Sequence, residues 1–358
     1  GIVGTGKGPD RRVGFDCVVV VNGDFGYLFF VIWFLVFGLR YWEKHIVPAM
    51  SKVKSYLSLI KFSHTIFAMP FALIGFVLGL FSTTFHPFLG AWRNSNGVYQ
   101  WDLNHSVGWA WENEVASDSL LWKLITKGDA SAIPIIAKYF LLVLFCMVFA
   151  RSAAMAFNRY LDRQYDARNP RTAIREIPSG VISPANALAF TIISCLLFIA
   201  CTFFINRICF YLSPVALAVI LGYSYTKRFT PLCHLILGLG LSLAPIGAYL
   251  AVTGQFALLP VLFSLTVLFW VSGFDIIYAL QDVEFDQSQQ LYSIPAHLGK
   301  AKALKVSQFL HLISTAAVLF AGFYGHFGLL YWLGAAGFTA MLIYQHTLVK
   351  PDDLSRVN

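Results

Sequence analysis

Eight apolar runs, each long enough to cross a bilayer as a helix, constrain this chain more than any other feature. They lie at residues 60–82, 135–157, 186–205, 208–225, 232–252, 258–280, 303–323 and 327–348. A transmembrane helix needs roughly 20 apolar residues, and it satisfies its own backbone hydrogen bonds in lipid. Hydrophobic residues make up 58% of the chain and charged residues only 12%, which is too apolar for a soluble domain. The sequence therefore predicts an all-α, multi-span transmembrane helical bundle with about eight core spans.

The net charge of +8 lies largely in short loops between these runs, which favours membrane orientation over nucleic-acid binding. Basic clusters precede the first span, follow the second and fourth spans, and precede the seventh. Their residues are Lys52, Lys54, Lys61, Arg159, Arg163, Arg168, Arg171, Arg175, Lys227, Arg228, Lys300, Lys302 and Lys305. With eight spans all four clusters share one side, which the positive-inside rule makes the cytoplasm. We expect an integral protein of a bacterial inner membrane with these loops cytoplasmic.

Two regions fall outside the pattern. Residues 1–49 contain only a short apolar run, Phe25 to Leu39, and Met50 is followed at once by the basic flank of the first span. We therefore expect an upstream segment of doubtful origin at 1–49 and a membrane domain at 50–358. Residues 85–130 form a polar insert with five tryptophans, which is typical of a loop at the membrane interface. A lid over a lipid site is the alternative.

The first acidic cluster follows the second span. Asn158, Asp162 and Asp166 are spaced four residues apart, so a continuing helix presents all three on one face. Pro170 limits that helix, because the residue before a proline resists the helical conformation. Hard oxygen donors at this spacing suit Mg²⁺ that is shared with substrate phosphates.

A second cluster follows the sixth span, on the same predicted side. Asp275, Tyr278, Asp282 and Asp286 fall near one helical face. Two acidic patches at one membrane surface repel each other unless cations lie between them. A polyanion bridged by metal ions resolves that conflict, so the sequence predicts a shared Mg²⁺ site. The alternative is that each cluster is a solvated loop with helical ion pairs, such as Asp162 with Arg163.

These motifs resemble the paired signatures of UbiA-type intramembrane prenyltransferases. The resemblance runs from about Met50 to the C-terminus and includes the segments 169–172, 175–180 and 223–228. Within the family, the stretch from Arg151 to Asn158 is most similar to members that prenylate a hydroxybenzoate. The insert at 85–130 departs from the pattern, and relatives usually continue into one more helix beyond Asn358, so we expect a ninth span to be missing.

The resemblance implies ionisation of an allylic prenyl diphosphate, with Mg²⁺ as cofactor, and attack by a small aromatic acceptor in quinone biosynthesis. Asp162 and Asp282 become the expected catalytic residues. The expected metal ligands are Asn158, Asp162, Asp166, Asp275, Asp282 and Asp286. The expected diphosphate-binding residues are Arg171, Lys227, Arg228 and Tyr278. Arg151 and Asn158 are expected to bind the acceptor.

Arg151 precedes Asn158 by seven residues, so it shares a helical face about two turns deeper. A cation at that depth needs an anionic partner. That partner is either an acceptor carboxylate, which suits planar arginine, or an acidic residue of a neighbouring helix.

Functions of other classes remain open at this point. A cation-dependent transporter or lipid-binding protein also places acidic residues in membrane helices, although transport sites favour the midplane. A phosphatidyl-alcohol transferase also uses aspartate-rich metal motifs, but the glycine-punctuated pattern of those enzymes is absent from this sequence. UbiA-type enzymes with other acceptors share the motifs found here.

Overall fold

The computed structural model describes residues 55–56, 58–60, 62–82, 91–93, 99–101, 132–354 and 357. The upstream segment 1–49, the beginning of the membrane domain at Met50 and most of the 85–130 insert lie outside these residues. In chain order, the elements are α1 (Phe62–Ser82), β1 (Ala91–Arg93), β2 (Tyr99–Trp101), α2 (Ala132–Leu161), α3 (Arg163–Arg168), α4 (Pro184–Ile205), α5 (Arg207–Thr226), α6 (Cys233–Thr253), α7 (Leu258–Ala279), a 3₁₀ turn (Leu280–Asp282), α8 (Val283–Ser288), α9 (Ile294–Leu298), α10 (Lys300–Tyr324) and α11 (Leu329–Leu348).

All eight predicted apolar runs are helical, which confirms the all-α membrane bundle. Among the described residues, six helical segments are long and apolar enough to cross a membrane: α2, α4, α5, α6, the segment from α7 to α8, and α10. The described apolar part of α1, Ala68–Phe81, is shorter. Helix α11 is not one of the six, since glycine, threonine, glutamine and histidine interrupt its apolar sequence. The predicted count of eight spans is thus close to the observed architecture.

Side-chain caps fix several helix boundaries. Ser183 caps α4 by accepting a hydrogen bond from the amide of Asn186 at 3.2 Å. Asn206 caps α5 through the amide of Cys209 at 2.9 Å, and its own amide group donates to the Leu250 carbonyl oxygen of α6 at 2.8 Å. Such caps satisfy backbone groups that a helix end leaves unpaired. The turn between α4 and α5 is thereby tied to the far end of α6.

Helix α7, in which the second acidic motif begins, is packed between α6 and α10. Three side chains of α10 contact backbone carbonyl oxygens on successive turns of α7. Ser307 Oγ donates to Gly273 at 2.7 Å and Ser314 Oγ donates to Thr266 at 2.9 Å. Between them, His311 Nε2 lies 3.2 Å from the carbonyl oxygen of Trp270. Hydrogen bonds of this kind hold helices together in lipid, so this stripe fixes the position of α7.

The connections bring the two motifs to one end of the bundle. The carbonyl oxygen of Leu161, at the end of α2, accepts a hydrogen bond from Arg228, just beyond α5, at 3.0 Å. The amide of Tyr292, beyond α8, donates to the carbonyl oxygen of Lys227 at 2.7 Å. The ends of α2, α5 and α7 therefore meet at one pole, as the alternation of spans predicts.

Only a small part of the polar insert is described. It forms a two-stranded antiparallel hairpin in which Trp92 of β1 pairs with Gln100 of β2. For the rest of the insert, both interpretations stay predictions: a loop at the membrane interface, or a lid over a lipid site.

Gly75 allows α1 to approach α6 closely. A Cβ at Gly75 would overlap the carbonyl oxygen of Pro245, whereas a Cβ at Gly247 would meet nothing within 4 Å. We expect Gly75→Ala to lower the stability of the detergent-solubilised protein by about 1–3 kcal/mol, the usual cost of overpacking. Gly247→Ala is the control, because it gains helix propensity without a clash. Thermal unfolding midpoints measure both variants, and equal midpoints would contradict the close packing of α1 on α6.

Candidate active site

The first motif lies where α2 passes into α3. Asn158 is in the last turn of α2, and its amide group donates to the Asp162 carboxylate at 3.2 Å. The amide of Asp162 bonds to the Asn158 carbonyl oxygen at 2.9 Å, and that of Asp166 bonds to Asp162 at 2.8 Å. These i to i−4 bonds continue the helical path through the junction. The helix predicted through the motif is therefore nearly continuous.

The second motif lies where α7 passes through the 3₁₀ turn into α8. Asp275 and Tyr278 belong to the last turns of α7, Asp282 ends the 3₁₀ turn, and Asp286 lies in α8. The tighter 3₁₀ geometry changes the direction of the side chains that follow it. Asp286 consequently points into the protein and is fully buried, while Asp282 stays partly accessible.

Arg171 joins the two motifs. One of its terminal nitrogens lies 2.9 Å and 2.7 Å from the two carboxylate oxygens of Asp282. The other donates to the Tyr278 hydroxyl at 3.2 Å. A charge-assisted contact to both oxygens fixes orientation as well as distance. The segment that follows the first motif is therefore attached directly to the second.

The two basic residues after α5 each reach one motif. Lys227 Nζ lies 2.7 Å from Asp286 Oδ1 of the second motif. Burial lowers the pKa of Lys227, but the Asp286 carboxylate outweighs this effect, so the pKa lies above its ordinary value. Arg228 Nη2 lies 3.3 Å from Asp162 Oδ1 of the first motif. The predicted diphosphate-binding residues thus surround both acidic clusters.

The remaining aspartate of the first motif is held by a residue to which the sequence assigned no role. Arg175 Nη1 contacts both carboxylate oxygens of Asp166, at 2.8 Å and 2.9 Å. Next to this pair, Arg159 forms a buried ion pair with Glu176, which also accepts a hydrogen bond from Ser58. Arg175 and Glu176 both belong to the segment 175–180 of the family pattern, and this membership is the signal that could have identified them.

Exposure separates the motif aspartates into two groups. The side chains of Asp162, Asp275 and Asp282 are 28%, 31% and 17% exposed. Those of Asp166 and Asp286 are only 9% and 0% exposed. The first three remain accessible to a ligand, whereas the last two are enclosed in ion pairs.

The surroundings of Asp162 change its acidity. Burial, together with the neighbouring Asp166 carboxylate, raises the pKa of Asp162 to about 6, although Arg228 acts in the opposite direction. Burial and a neighbouring negative charge both disfavour the ionised form of a carboxyl group. An added cation near Asp162 therefore stabilises its charged form.

His234, in the first turn of α6, is a site residue that the sequence analysis missed. Its Nδ1 lies 2.7 Å from Asp275 Oδ2, and its Nε2 lies 3.3 Å from the amide nitrogen of Ile294. The ring is 3% exposed. The available signal was its position: His234 starts a span six residues beyond Arg228, at the pole that carries both motifs.

Arg151 lies in α2, on the membrane side of the first motif. Its Nε is buried and has no hydrogen-bond partner among the described residues. Tyr223 of α5 lies close enough to Arg151, Asp162 and Asp275 to interact electrostatically with all three. Arg151 is therefore directed toward the same region as the carboxylates, at greater depth.

The donor set fits a magnesium ion that is shared with a substrate. Within the described residues, no three His, Cys, Asp or Glu side chains are grouped closely enough to hold a metal by themselves. Mg²⁺ in phosphate-transfer sites takes one or two carboxylates and completes its shell with substrate phosphates and water. The accessible oxygens of Asp162, Asp275 and Asp282, with cations beside them for a polyanion, match that chemistry.

Comparison with known sequences identifies relatives over most of the described chain. The UbiA prenyltransferase family matches residues 126–358. The 4-hydroxybenzoate octaprenyltransferase of Aeromonas salmonicida is 30% identical over 200 residues, which cover 56% of this chain and 69% of the relative. The enzyme of the same name from Methylococcus capsulatus is 30% identical over 230 residues, which cover 64% of this chain and 77% of the relative.

Solved structures have the same fold. The apo structure of a UbiA homologue from Aeropyrum pernix has a TM-score of 0.61 and 28% identity, and it covers 80% of this chain and 88% of that one. A UbiA homologue from Archaeoglobus fulgidus bound to DMAPP and Mg²⁺ has a TM-score of 0.53 at 18% identity, and it covers 82% of this chain and 86% of that one. Because the family match covers more than half of its length, this protein belongs to the UbiA prenyltransferase family and is an integral membrane prenyltransferase.

Proposed function

We propose that the protein transfers a polyprenyl group from a prenyl diphosphate to a hydroxybenzoate-type acceptor, with Mg²⁺ as cofactor, in quinone biosynthesis. The contact of Arg171 with Asp282 and Tyr278 carries the proposal, because it joins the two motifs into one site. The named octaprenyltransferases at about 30% identity support the acceptor class. Four basic loops support a site that faces the cytoplasm, and the bacterial relatives support an inner membrane.

The donor diphosphate binds where the accessible carboxylates and the basic side chains meet. Asp162 and Asp282 hold the Mg²⁺, with Asn158 beside Asp162 and Asp275 across the site. The bound Mg²⁺ supplies charge neutralisation for the departing pyrophosphate. Arg171, Lys227 and Arg228 add positive charge around the same group, and Tyr278 offers a hydroxyl. Such preorganised charge is the main means of stabilising an ionising transition state.

Asp166 and Asp286, which the sequence analysis grouped with the metal ligands, take a different part in this proposal. Their carboxylates are enclosed with Arg175 and Lys227. Buried acids paired in this way position their basic partners, because separating the pair leaves an uncompensated charge in the protein. We therefore assign metal binding to the accessible aspartates, and assign positioning to Asp166 and Asp286.

The acceptor binds on the membrane side of the diphosphate. Arg151 lies roughly 10 Å deeper than Asn158 along α2, at about 1.5 Å per residue. That depth suits a carboxylate at the far end of a small aromatic ring whose reacting carbon faces the donor. The surrounding helices keep water from the allylic cation, which would otherwise be hydrolysed.

The reaction itself is the first test. Membranes containing the protein are incubated with Mg²⁺, a labelled prenyl diphosphate and a panel of aromatic acceptors with and without a carboxylate. We expect labelled prenyl product with hydroxybenzoates only, and loss of product when EDTA removes the metal. Glycerol phosphate is included as a non-aromatic acceptor. Product with glycerol phosphate or with carboxylate-free rings, and none with hydroxybenzoates, would show that the acceptor belongs to another class.

A second prediction concerns the metal-binding carboxylates. Asp162→Asn and Asp282→Asn keep the side-chain volume but remove the charge, and we expect kcat to fall by about 100-fold or more, as for other losses of transition-state charge stabilisation. Glu284→Gln is the matched control, since Glu284 is exposed and lies two residues from Asp282. Near-normal turnover of either aspartate variant, in protein that elutes as folded material, would remove that residue from the metal site.

A third prediction concerns Arg151. Arg151→Ala should lower kcat/KM for the acceptor by about 30-fold or more, since truncating one partner of a buried charge pair costs about 2 kcal/mol or more. Affinity for the prenyl diphosphate should stay the same. Arg151→Lys should restore activity only in part, because it keeps the charge and loses the planar fork.

Arg207→Ala is the control for the Arg151 variants, since Arg207 is exposed at the opposite end of α5. Kinetics of both substrates are measured in parallel. If Arg151→Ala weakens binding of the prenyl diphosphate and leaves kcat/KM for the acceptor unchanged, Arg151 belongs to the donor site.

A further inference from the structure

Two arginines and two carboxylates lie together beside the first motif. Arg175 Nη1 lies 2.8 Å and 2.9 Å from the two carboxylate oxygens of Asp166. Arg159, in the last turn of α2, forms an ion pair with Glu176. Arg159 also lies close enough to Arg175 and Asp166 to interact electrostatically with both. The four side chains therefore form one network, in which both carboxylates act on Arg159.

Burial decides which pairing in this network is stable. Arg159 is 4% exposed, so it needs a carboxylate inside the protein, because an unpaired buried cation is strongly destabilising. The side chain of Arg175 is 26% exposed and can be hydrated. Without the charge of Glu176, Asp166 would be the carboxylate left to Arg159, and Arg175 would lose its partner. The negative charge of Glu176 therefore reserves Asp166 for Arg175.

The carboxylate of Glu176 is itself held from two sides. It accepts hydrogen bonds from Arg159 and from Ser58, which lies in the segment before α1. Leu59, next to Ser58, is fully buried and belongs to the same hydrophobic cluster as Ile177. Glu176 is thus fixed between the end of α2 and the segment that precedes α1.

The position of Arg175 matters to the site because a bonded turn connects it with Arg171. The amide of Arg175 donates to the carbonyl oxygen of Thr172 at 3.0 Å. The amide of Arg171 donates to the side-chain oxygen of Asn169, also at 3.0 Å. From this turn, the guanidinium group of Arg171 reaches Asp282 of the second motif. A shift of Arg175 is therefore passed on to Arg171.

We propose that Glu176 is a positioning residue of the diphosphate site. By pairing with Arg159, it leaves Asp166 to Arg175. The residues after the first motif then keep the conformation in which Arg171 faces the second motif. This inference rests on the proposed Mg²⁺–diphosphate site and adds to it a residue that acts only through its neighbours.

The charge of Glu176 can be removed without changing the size of the side chain. Glu176→Gln still accepts hydrogen bonds from Ser58 and Arg159. Binding of inorganic pyrophosphate in the presence of Mg²⁺ is measured by isothermal titration calorimetry on the purified full chain in detergent. We expect Glu176→Gln to raise the pyrophosphate Kd by about 10- to 100-fold, the usual effect of losing a hydrogen bond between charged groups. Glu284→Gln, the same change on an exposed side chain, is the matched control and should leave the Kd unchanged.

Two double variants separate positioning from a general effect on the fold. In Arg159→Met/Glu176→Gln the buried cation is also absent, so nothing competes with Arg175 for Asp166. Replacing both members of a buried ion pair is often tolerated, and the Kd should return to within about threefold of the wild type. Arg175→Met should weaken pyrophosphate about as much as Glu176→Gln. In the Arg175→Met background, Glu176→Gln should cause little further loss, since both act through one arginine.

Three results would overturn the proposal. The first is a folded Glu176→Gln with wild-type affinity for pyrophosphate. The second is Arg159→Met/Glu176→Gln that binds as weakly as Glu176→Gln alone, and the third is a loss that adds fully in the Arg175→Met background. If Glu176→Gln does not fold, Arg159→Met/Glu176→Gln decides the question, because the proposal requires this variant to fold and to bind pyrophosphate.

The measurement needs no acceptor and no turnover, so it separates this inference from the proposed reaction. A wild type that binds pyrophosphate but transfers no prenyl group would overturn the reaction alone. A wild type that binds pyrophosphate with an affinity insensitive to Glu176→Gln would overturn the positioning role alone. A wild type that binds no pyrophosphate would overturn the proposed donor site and this inference with it.

Discussion

The structure of the site depends on the compensation of acidic side chains by basic ones at one end of a membrane bundle. Carboxylates next to lipid are costly unless partners lie within contact distance. The segment after α3 supplies Arg171 and Arg175, and the end of α5 supplies Lys227 and Arg228. The conformation of these loops is therefore set by the charges that they neutralise, and the same cations face an incoming polyanion.

The packing of the helices below the site fixes the positions of the site residues. Helix α7 carries Asp275 and leads directly into the 3₁₀ turn and α8, which carry Asp282 and Asp286. The polar side chains of α10 bond to the backbone carbonyls of α7. Gly238 of α6 allows α7 to approach closely, since a Cβ at this position would overlap Ser272. Gly273 of α7 likewise allows α10 to approach, since a Cβ there would overlap His311. Rigid helix contacts thus determine how far the second motif lies from the first. A ligand that binds between them meets a largely preformed arrangement.

Equal spacing in the sequence hides unequal surroundings in the fold. Asp162 and Asp166 are one helical turn apart, yet the first is accessible with a raised pKa and the second is enclosed by Arg175. Asp282 has both oxygens bonded to Arg171, so any cation that binds there competes with this pair. Asp275 is bonded instead to the buried ring of His234, at 2.7 Å. The motif carboxylates therefore differ in how strongly each can bind a metal ion or a substrate.

The sequence by itself determined the helical fold, the order of the spans and the two acidic motifs, because a bilayer demands long apolar helices and a helix places residues four apart on one face. It did not determine which charges pair. Arg171 and Asp282 are 111 residues apart in the chain, and His234 and Asp275 are 41 apart. Pairing was decided by tertiary structure, since side chains from distant segments become neighbours only when the helices pack.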